Sequence, residues 1–539
     1  MPWSADVIIV GSGVAGSLVA ARLARAGVKV VILEAGPRVS RNAALAKYRD
    51  ALIKSPEAPY PDTPYAPRPK SDDPDHYFLQ DGQDKFGGTY LRQVGGTTWH
   101  WLGTALRFVP DDFRLRSKFG VGLDWPISYD DLEPWYCDAE RELGVAGDPN
   151  ADLSAPRSQP YPMPMIPLSY ADQRTAAALK GTPHTVQATP QARNSRRYDN
   201  RPACCGSASC IPICPVQAKY DATTHLAQAE RVGAQLVAEA VVTRVEVGAD
   251  GRITALIVKR PDGSEDRAIG KVFVMAAHGI ETPKLLLQSR TDQRPSGVAN
   301  SSDQVGRNLM DHPSQLNWAL AGEPLGVFRG PLSTAGIEWM RAGDWRADHA
   351  SFRLQLDNAG WAWPAGTPDS TARELIQRGL RGAELDRAIA EHSSREITLV
   401  PMVEQLPSPD NRIVPDYDRR DAIGVPRPRI TYKIDDYSKR ALEHGRRIAR
   451  EIAAAMKATE VHEAPEIVSS GHVMGTYRMG ADPKQSVVNP DQRAHDHPNL
   501  FLLGSGVFPT GGASNPTLTI AALALRAVAA VQRAAEGER

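Results

Sequence analysis

Ala5-Asp-Val-Ile-Ile-Val-Gly-Ser-Gly-Val-Ala-Gly16 decides how the rest of the chain is read. The β-branched run Val7 to Val10 predicts a strand buried on both faces, and the Ala- and Leu-rich segment Leu18 to Ala26 predicts a helix. Between them lies Gly11-x-Gly13-x-x-Gly16. Gly11 allows the tight turn, Gly13 lets backbone approach a pyrophosphate, and Gly16 lets the helix pack close to the strand. The free N–H groups of the helix start complete an anion site. A second strand, Val28 to Leu33, ends on Glu34, about twenty residues on, where a carboxylate can bind a ribose hydroxyl. This is a dinucleotide-binding signature at the start of an α/β fold, with a plain structural turn as the competing reading.

With 539 residues, the chain is long enough for about three to four domain-sized units. Lys and Arg balance Asp and Glu at 63 each, which argues against a nucleic-acid or polybasic membrane surface. No apolar run approaching the eighteen or so residues of a membrane span stands out, so no direct span is expected. The first strand begins within a few residues of Met1 and leaves no room for a signal peptide. The chain is then expected either to be cytoplasmic or to be exported with a partner.

Further along, Val94-Gly-Gly-Thr-Thr-Trp-His-Trp101 suits a loop lying against a flat ligand or a phosphate. Residues 110–200 are rich in Asp, Pro and aromatics, with a helix from Tyr129 to Leu143. Gln235 to Val247 and Ile253 to Lys259 read as a hairpin turning at Asp250-Gly251. Lys271 to Ala276 reads as a buried strand, and Glu281 to Gln288 as a helix. Trp318 to Tyr437 reads as the strands of a sheet roofing a substrate cavity. The C-terminal region repeats the opening pattern, with a strand from Leu500 to Leu503, a glycine elbow from Gly504, and a helix from Leu518 to Ala530. The two ends of the chain are expected to meet in one domain.

Six motifs in order resemble the glucose–methanol–choline (GMC) oxidoreductase family. They are GSGVAG with Glu34, VGGTTWHW, HGIETPKLLLQS (278–289), VGRNLMDHP (305–313), GHVMGTYRMG (471–480) and GASNPT (512–517). The resemblance implies an α/β protein with a Rossmann-like FAD-binding domain in the GMC fold, interleaved with an α+β substrate domain built on an antiparallel sheet. It assigns 1–40, 85–108, 217–315 and 466–539 to the FAD-binding domain. Residues 41–84, 109–200 and 316–465 fall to the substrate domain, and 201–216 form an insert. It implies FAD rather than NAD, held by Gly11, Gly13, Gly16, Glu34, Gly95, Gly96, Thr97, Thr98, His100, Val242, Gly504, Pro516 and Thr517. Where many members carry an acidic residue after the last strand, this chain has Gly504-Ser505-Gly506. That variant is closer to the pyranose-oxidase-like and bacterial sugar dehydrogenase branches. In pyranose-oxidase-like members a histidine at the place of His100 carries the flavin covalently. His100 could do so, or pack beside the ring.

Oxidising an alcohol by hydride transfer needs a base for the hydroxyl proton, and histidine suits that task near neutral pH. By resemblance His472 is that base and Asn515 its partner, with His312 structural, fixing the loop near the flavin.

Cys204-Cys205-Gly-Ser-Ala-Ser-Cys210-Ile-Pro-Ile-Cys214-Pro215 holds four of the five cysteines. Disulfides are possible, although adjacent cysteines bridge each other only with strain. Zinc sites favour paired C-x₂-C elements, absent here. Cys210-x₃-Cys214-Pro215 echoes the end of a ferredoxin run. In the bacterial glucose, gluconate and fructose dehydrogenase branch such an insert implies a [3Fe–4S] cluster, with Cys204, Cys205 and Cys210 as ligands and Cys214 spare. The resemblance thus implies a sugar dehydrogenase, first of D-glucose at C1 to the lactone, passing electrons through the cluster to a multihaem cytochrome c subunit or another external acceptor. It also implies a small escort subunit carrying the export signal and a periplasmic site at the inner membrane. The alternatives are gluconate, fructose or polyol oxidation, or an oxygen-using oxidase.

Overall fold

A computed structural model describes residues 3–71, 73–327, 329–359 and 368–537. The opening stretch forms strand β1 (Trp3–Val10), the turn and helix α1 (Val14–Arg25). β1 sits at the centre of a seven-stranded sheet with β2 (Val30–Leu33), β3 (Gln235–Val237), β4 (Val241–Val247), β5 (Ile253–Lys259), β6 (Glu265–Met275) and β7 (Leu500–Leu502). The order is β3-β2-β1-β6-β5-β4. β7 also pairs with β6. β3, β2, β1, β6 and β7 run parallel, whereas β5 and β4 fold back antiparallel.

β1 is apolar on both faces because both are covered. Val7 and Ile9 pack with Val19 and Leu23 of α1 and with Ala524, Ala527 and Val531 of the C-terminal helix. Ile8 and Val10 pack on the other side with Phe273, Met275 and Leu500. Burying each such side chain contributes roughly 1.5–3 kcal/mol. Gln235 to Val247, expected as one strand, is two. A break at Glu239, with φ of 57°, lets β3 extend the parallel edge while β4 begins the hairpin.

The C-terminal helix Thr517–Glu536 is long and apolar enough to cross a membrane by length and composition, although no such span was expected from the sequence. Within the fold it lies against α1 and the helix Tyr129–Leu143, with 56% of its apolar window buried.

The second sheet has eight strands, all antiparallel. Its main order is Val461–Glu463, Asn317–Leu320, Glu396–Val403, Phe352–Asp357, Ala335–Ile337 and Gln187–Ala188, and Pro313–Ser314 pairs with both Glu396–Val403 and Val468–Ser469. Most strands of the expected roof over Trp318 to Tyr437 are here; residues 328 and 360–367 of that stretch lie outside the described ones. Helix Asp436–Ala455 buries Leu442, Ile448 and Ile452 against Leu354, Leu356 and Leu399. The opposite face of the sheet looks back toward the first sheet, and the cavity between them carries the site.

Candidate active site

A cavity of about 610 Å³ runs from the β1 turn to the inner face of the second sheet. Its walls are the C-terminal ends of parallel strands, the place where open α/β sheets bind ligands. Of the expected cofactor residues, Gly11, Gly13, Glu34, Gly96, Thr97, Thr98, His100, Val242, Gly504, Pro516 and Thr517 line it. Gly16 and Gly95 stand behind this surface. A Cβ on Gly16 would lie 2.1 Å from the carbonyl oxygen of Gly11, so this glycine sets how closely α1 meets the turn. Gly95, at φ of 94°, donates its N–H to Ser12 Oγ at 3.0 Å.

The cavity fits FAD. A Cβ on Gly13 would meet no protein atom within 4 Å, and α1 has no side-chain cap, so its first N–H groups are open to a phosphate. Glu34 is buried at the cavity wall, where burial holds its pKa above the usual carboxylate range. Its Oε2 accepts from the Ser12 N–H at 3.0 Å and the Ser12 hydroxyl at 2.6 Å, and its Oε1 from the Gly36 N–H at 3.0 Å. Glu34 therefore also ties the first glycine turn, through Ser12, to the second glycine loop at Gly95. Its spacing from the glycines pointed only to a ribose contact.

His472 and Asn515 meet at the far end of the cavity, with Asn515 Nδ2 3.3 Å from His472 Nε2. His312, read from the sequence as a loop-fixing residue, stands directly behind them. Its Nε2 lies 2.8 Å from the Gly512 carbonyl and its Nδ1 2.8 Å from His472 Nδ1. A carbonyl only accepts, so His312 Nε2 carries the proton and its Nδ1 is bare. His472 Nδ1 must then donate to it, leaving His472 Nε2 unprotonated on the cavity side, where it accepts from the Asn515 amide. Burial, His312 and Arg353 hold the His472 pKa well below the usual histidine value, so it stands neutral. Asp311 fixes both backbones: its Oδ1 accepts the N–H of His312 at 2.7 Å and of His472 at 2.8 Å. Ser469 donates to its other oxygen. The motif MDHP thus holds the pair from behind, and its signal in the sequence was the Asp-His dipeptide itself.

His100 is buried at the cavity wall with its ring edge-on to Tyr60, and burial pushes its pKa down to about 3. Behind it, Lys219 donates to the carbonyls of Trp99 at 3.0 Å, Cys210 at 2.8 Å and Trp101. Burial lowers the Lys219 pKa to about 8. This lysine, unflagged by any motif, ties the His100 loop to the cysteine segment, whose Ile211 reaches the cavity wall.

The expected ligand set Cys204, Cys205 and Cys210 is not assembled. Cys210 is buried, Cys204 partly so, and Cys205 turns to solvent. Among the described residues no three His, Cys, Asp or Glu side chains converge as metal ligands. As placed, these thiols do not fit a cluster. Cys204 Sγ instead accepts from Gly206 N–H at 3.4 Å, and Cys214 Sγ from Lys219 N–H at 3.5 Å.

Comparison with known proteins agrees with this architecture. Two family models described as GMC oxidoreductase match residues 6–314 and 407–524. The chain is 39% identical to the fructose dehydrogenase large subunit of Gluconobacter japonicus, covering 98% of both chains. It is 26% identical to the gluconate 2-dehydrogenase flavoprotein of Pantoea cypripedii, covering 96% of this chain and 92% of the relative. The crystal structure of pyridoxine 4-oxidase from Mesorbium loti superposes with a TM-score of 0.64 at 18% identity, over 98% of this chain and 99% of that one. At that identity the likeness concerns the fold.

Proposed function

Since the chain belongs to the GMC oxidoreductase family, we propose that it is an FAD-dependent dehydrogenase of sugars or polyols in which His472 is the base. The observation that carries this reading is the chain of contacts from Gly512 through His312 to His472 and Asn515. It leaves one unprotonated imidazole nitrogen, fixed in direction and facing an amide donor, so that a hydroxyl entering between them meets an acceptor and a donor. A substrate hydroxyl placed there donates to His472 Nε2 and accepts from Asn515 Nδ2, so its proton leaves toward Nε2. The Asn515 Oδ1 is buried with no hydrogen-bond partner among the described residues. FAD, when bound, supplies the acceptor for the hydride from the carbinol carbon. As that hydride leaves, the proton settles on His472, whose Nδ1–H stays bonded to His312.

The relative at 39% identity makes D-fructose the first substrate to try, ahead of the D-glucose oxidation at C1 that the motifs suggested. Gluconate and simple polyols follow. Adding each sugar anaerobically and recording the visible spectrum tests the reading. Bleaching of the flavin by a sugar is expected, and failure with every sugar and polyol overturns it. Stoichiometric hydrogen peroxide during aerobic turnover would instead support the oxidase reading.

Covalent attachment of FAD through His100 rests on its position at the cavity wall, and acid precipitation tests it: yellow colour left wholly in the supernatant excludes the link. A [3Fe–4S] cluster in the cysteine segment rests on donor chemistry alone, four thiols between Cys204 and Cys214. Paramagnetic resonance and iron analysis of the purified protein test it, and bound zinc without iron would rule it out. The large-subunit name of the fructose relative supports assembly with further subunits. An escort and a cytochrome c subunit on the periplasmic side rest on the family resemblance alone, and co-purification tests them.

A further inference from the structure

The strand Phe352–Asp357 alternates cleanly. Leu354 and Leu356 are buried against the outer helix Asp436–Ala455, and Gln355 and Asp357 face the cavity that holds His472 and Asn515. The antiparallel register sets Gln355 beside Val400 and Arg353 beside Met402, and Val400 and Met402 also line the cavity. Arg353 is spent: its guanidinium is paired with Glu338 at 2.6 Å, and its charge is felt at His472, so this strand runs over the base. The next two inward positions are unspent. Gln355 Oε1 accepts from Arg353 at 3.4 Å, which leaves its amide N–H groups without a protein acceptor among the described residues. Asp357 accepts only from backbone N–H groups just downstream, Ala359 at 2.9 Å among them, and no described side chain donates to it.

An amide donor and a carboxylate acceptor, two residues apart on one strand face, stand about 7 Å apart along the strand. Both are partly exposed, and the surface they expose is the cavity's. A fold seldom leaves a carboxylate under a roof without a cationic or side-chain donor unless a ligand brings one. We propose that Asp357 and Gln355 are the specificity-determining residues of the site and select a neutral polyhydroxylated carbohydrate. Hydroxyls donate to the Asp357 carboxylate and accept from the Gln355 amide while the reacting carbinol lies at His472. A substrate that carries its own carboxylate, such as an aldonate, meets like charge at Asp357 and is turned away. A monohydric alcohol reaches His472 but engages neither residue. This rests on the dehydrogenase reading and narrows its substrate from any sugar or polyol to the uncharged ones.

Anaerobic stopped-flow reduction of the flavin by D-fructose, D-glucose and D-gluconate at pH 8 tests it, giving an apparent Kd and a limiting rate for each. The wild type is expected to bind a neutral sugar more tightly than gluconate. Asp357→Asn is expected to raise the Kd of that sugar about 10- to 100-fold, the worth of a charge-assisted hydrogen bond, and to narrow the gap to gluconate. Gln355→Leu should raise the same Kd without improving gluconate. In both variants the limiting rate should move less than the Kd, and flavin content reports that they have folded. Unchanged Kd values and an unchanged sugar-to-gluconate ratio in both variants overturn the proposal while leaving the dehydrogenase reading in place. So does a wild type that prefers gluconate. A wild type bleached by nothing removes both.

Discussion

At the scale of single residues the site is a chain of hydrogen bonds whose direction is forced from one end. Replacing His472 with Ala removes the proton acceptor and should lower the limiting rate of flavin reduction by about 10²–10⁴-fold, read by stopped flow. His312→Leu removes the acceptor for His472 Nδ1 and frees the imidazole to turn its proton toward the substrate. It should lower the same rate, whereas His312→Asn, which restores an acceptor, should recover part of it. Equal losses in both variants would mean that His312 only fills space. The pH profile separates base from binding carboxylate. Burial, with Asp172 as a like-charged neighbour, pushes the Asp357 pKa up to about 6, and the nearby Arg353 is neutralised by Glu338. Since the ionised form accepts the sugar hydroxyls, kcat/KM for a neutral sugar should rise with pH through about 6. Asp357→Asn should erase that limb. His472, held well below the usual histidine value, stays unprotonated across it and adds no limb of its own there. His472 and Asn515 were legible in the sequence because each sits in a motif. His312 was legible only as a residue: nothing in MDHP says that its ring meets a histidine 160 positions later. Gln355 and Asp357 were invisible, because a polar residue on an alternating strand looks solvent-facing until a second layer closes over it.

At the scale of elements, the glycine turn and its helix act as one part. With Gly16→Ala the new methyl would press on the Gly11 carbonyl, and α1 could only back away from β1. The cost is that of overpacking, about 1–3 kcal/mol. It should appear as a lower thermal midpoint and as less flavin absorbance per protein, since the phosphate-facing N–H groups withdraw with the helix. Strand, turn and helix were all readable because local chemistry fixes them: a β-branched run, glycines at set spacing, and an Ala/Leu periodicity. The hairpin region was misread at Glu239, where a left-handed residue splits one expected strand between the parallel edge and the hairpin. That break is dictated by where the sheet needs an edge, which no local pattern announces.

For the molecule as a whole, the decisive joint is between layers. Lys219 gathers three carbonyls from the His100 loop and the cysteine segment, with its ammonium buried. Lys219→Met would leave those acceptors buried and unpaired. It should cost about 1–3 kcal/mol in denaturant unfolding and loosen the cysteine segment toward proteolysis. Strand patterns and the family resemblance foretold two sheets, but not that a lysine would couple the flavin-facing loop to the cysteines. Nor did they foretell that Cys205 would turn outward and leave the expected ligand trio apart.

The pairing of β7 with β6 has a consequence in time. Phe273 to Met275 stand beside Leu500 to Leu502, so the sheet that begins near residue 3 gains its last strand only when residue 500 arrives. Most of the second sheet is made in between. Such long closures are entropically dear and slow. On the ribosome, β1 and its glycine turn must wait until β7 is made before the cavity has a second wall. The flavin is therefore expected to be captured late, after β7 has paired, and refolding from denaturant should recover helical signal well before it recovers bound flavin.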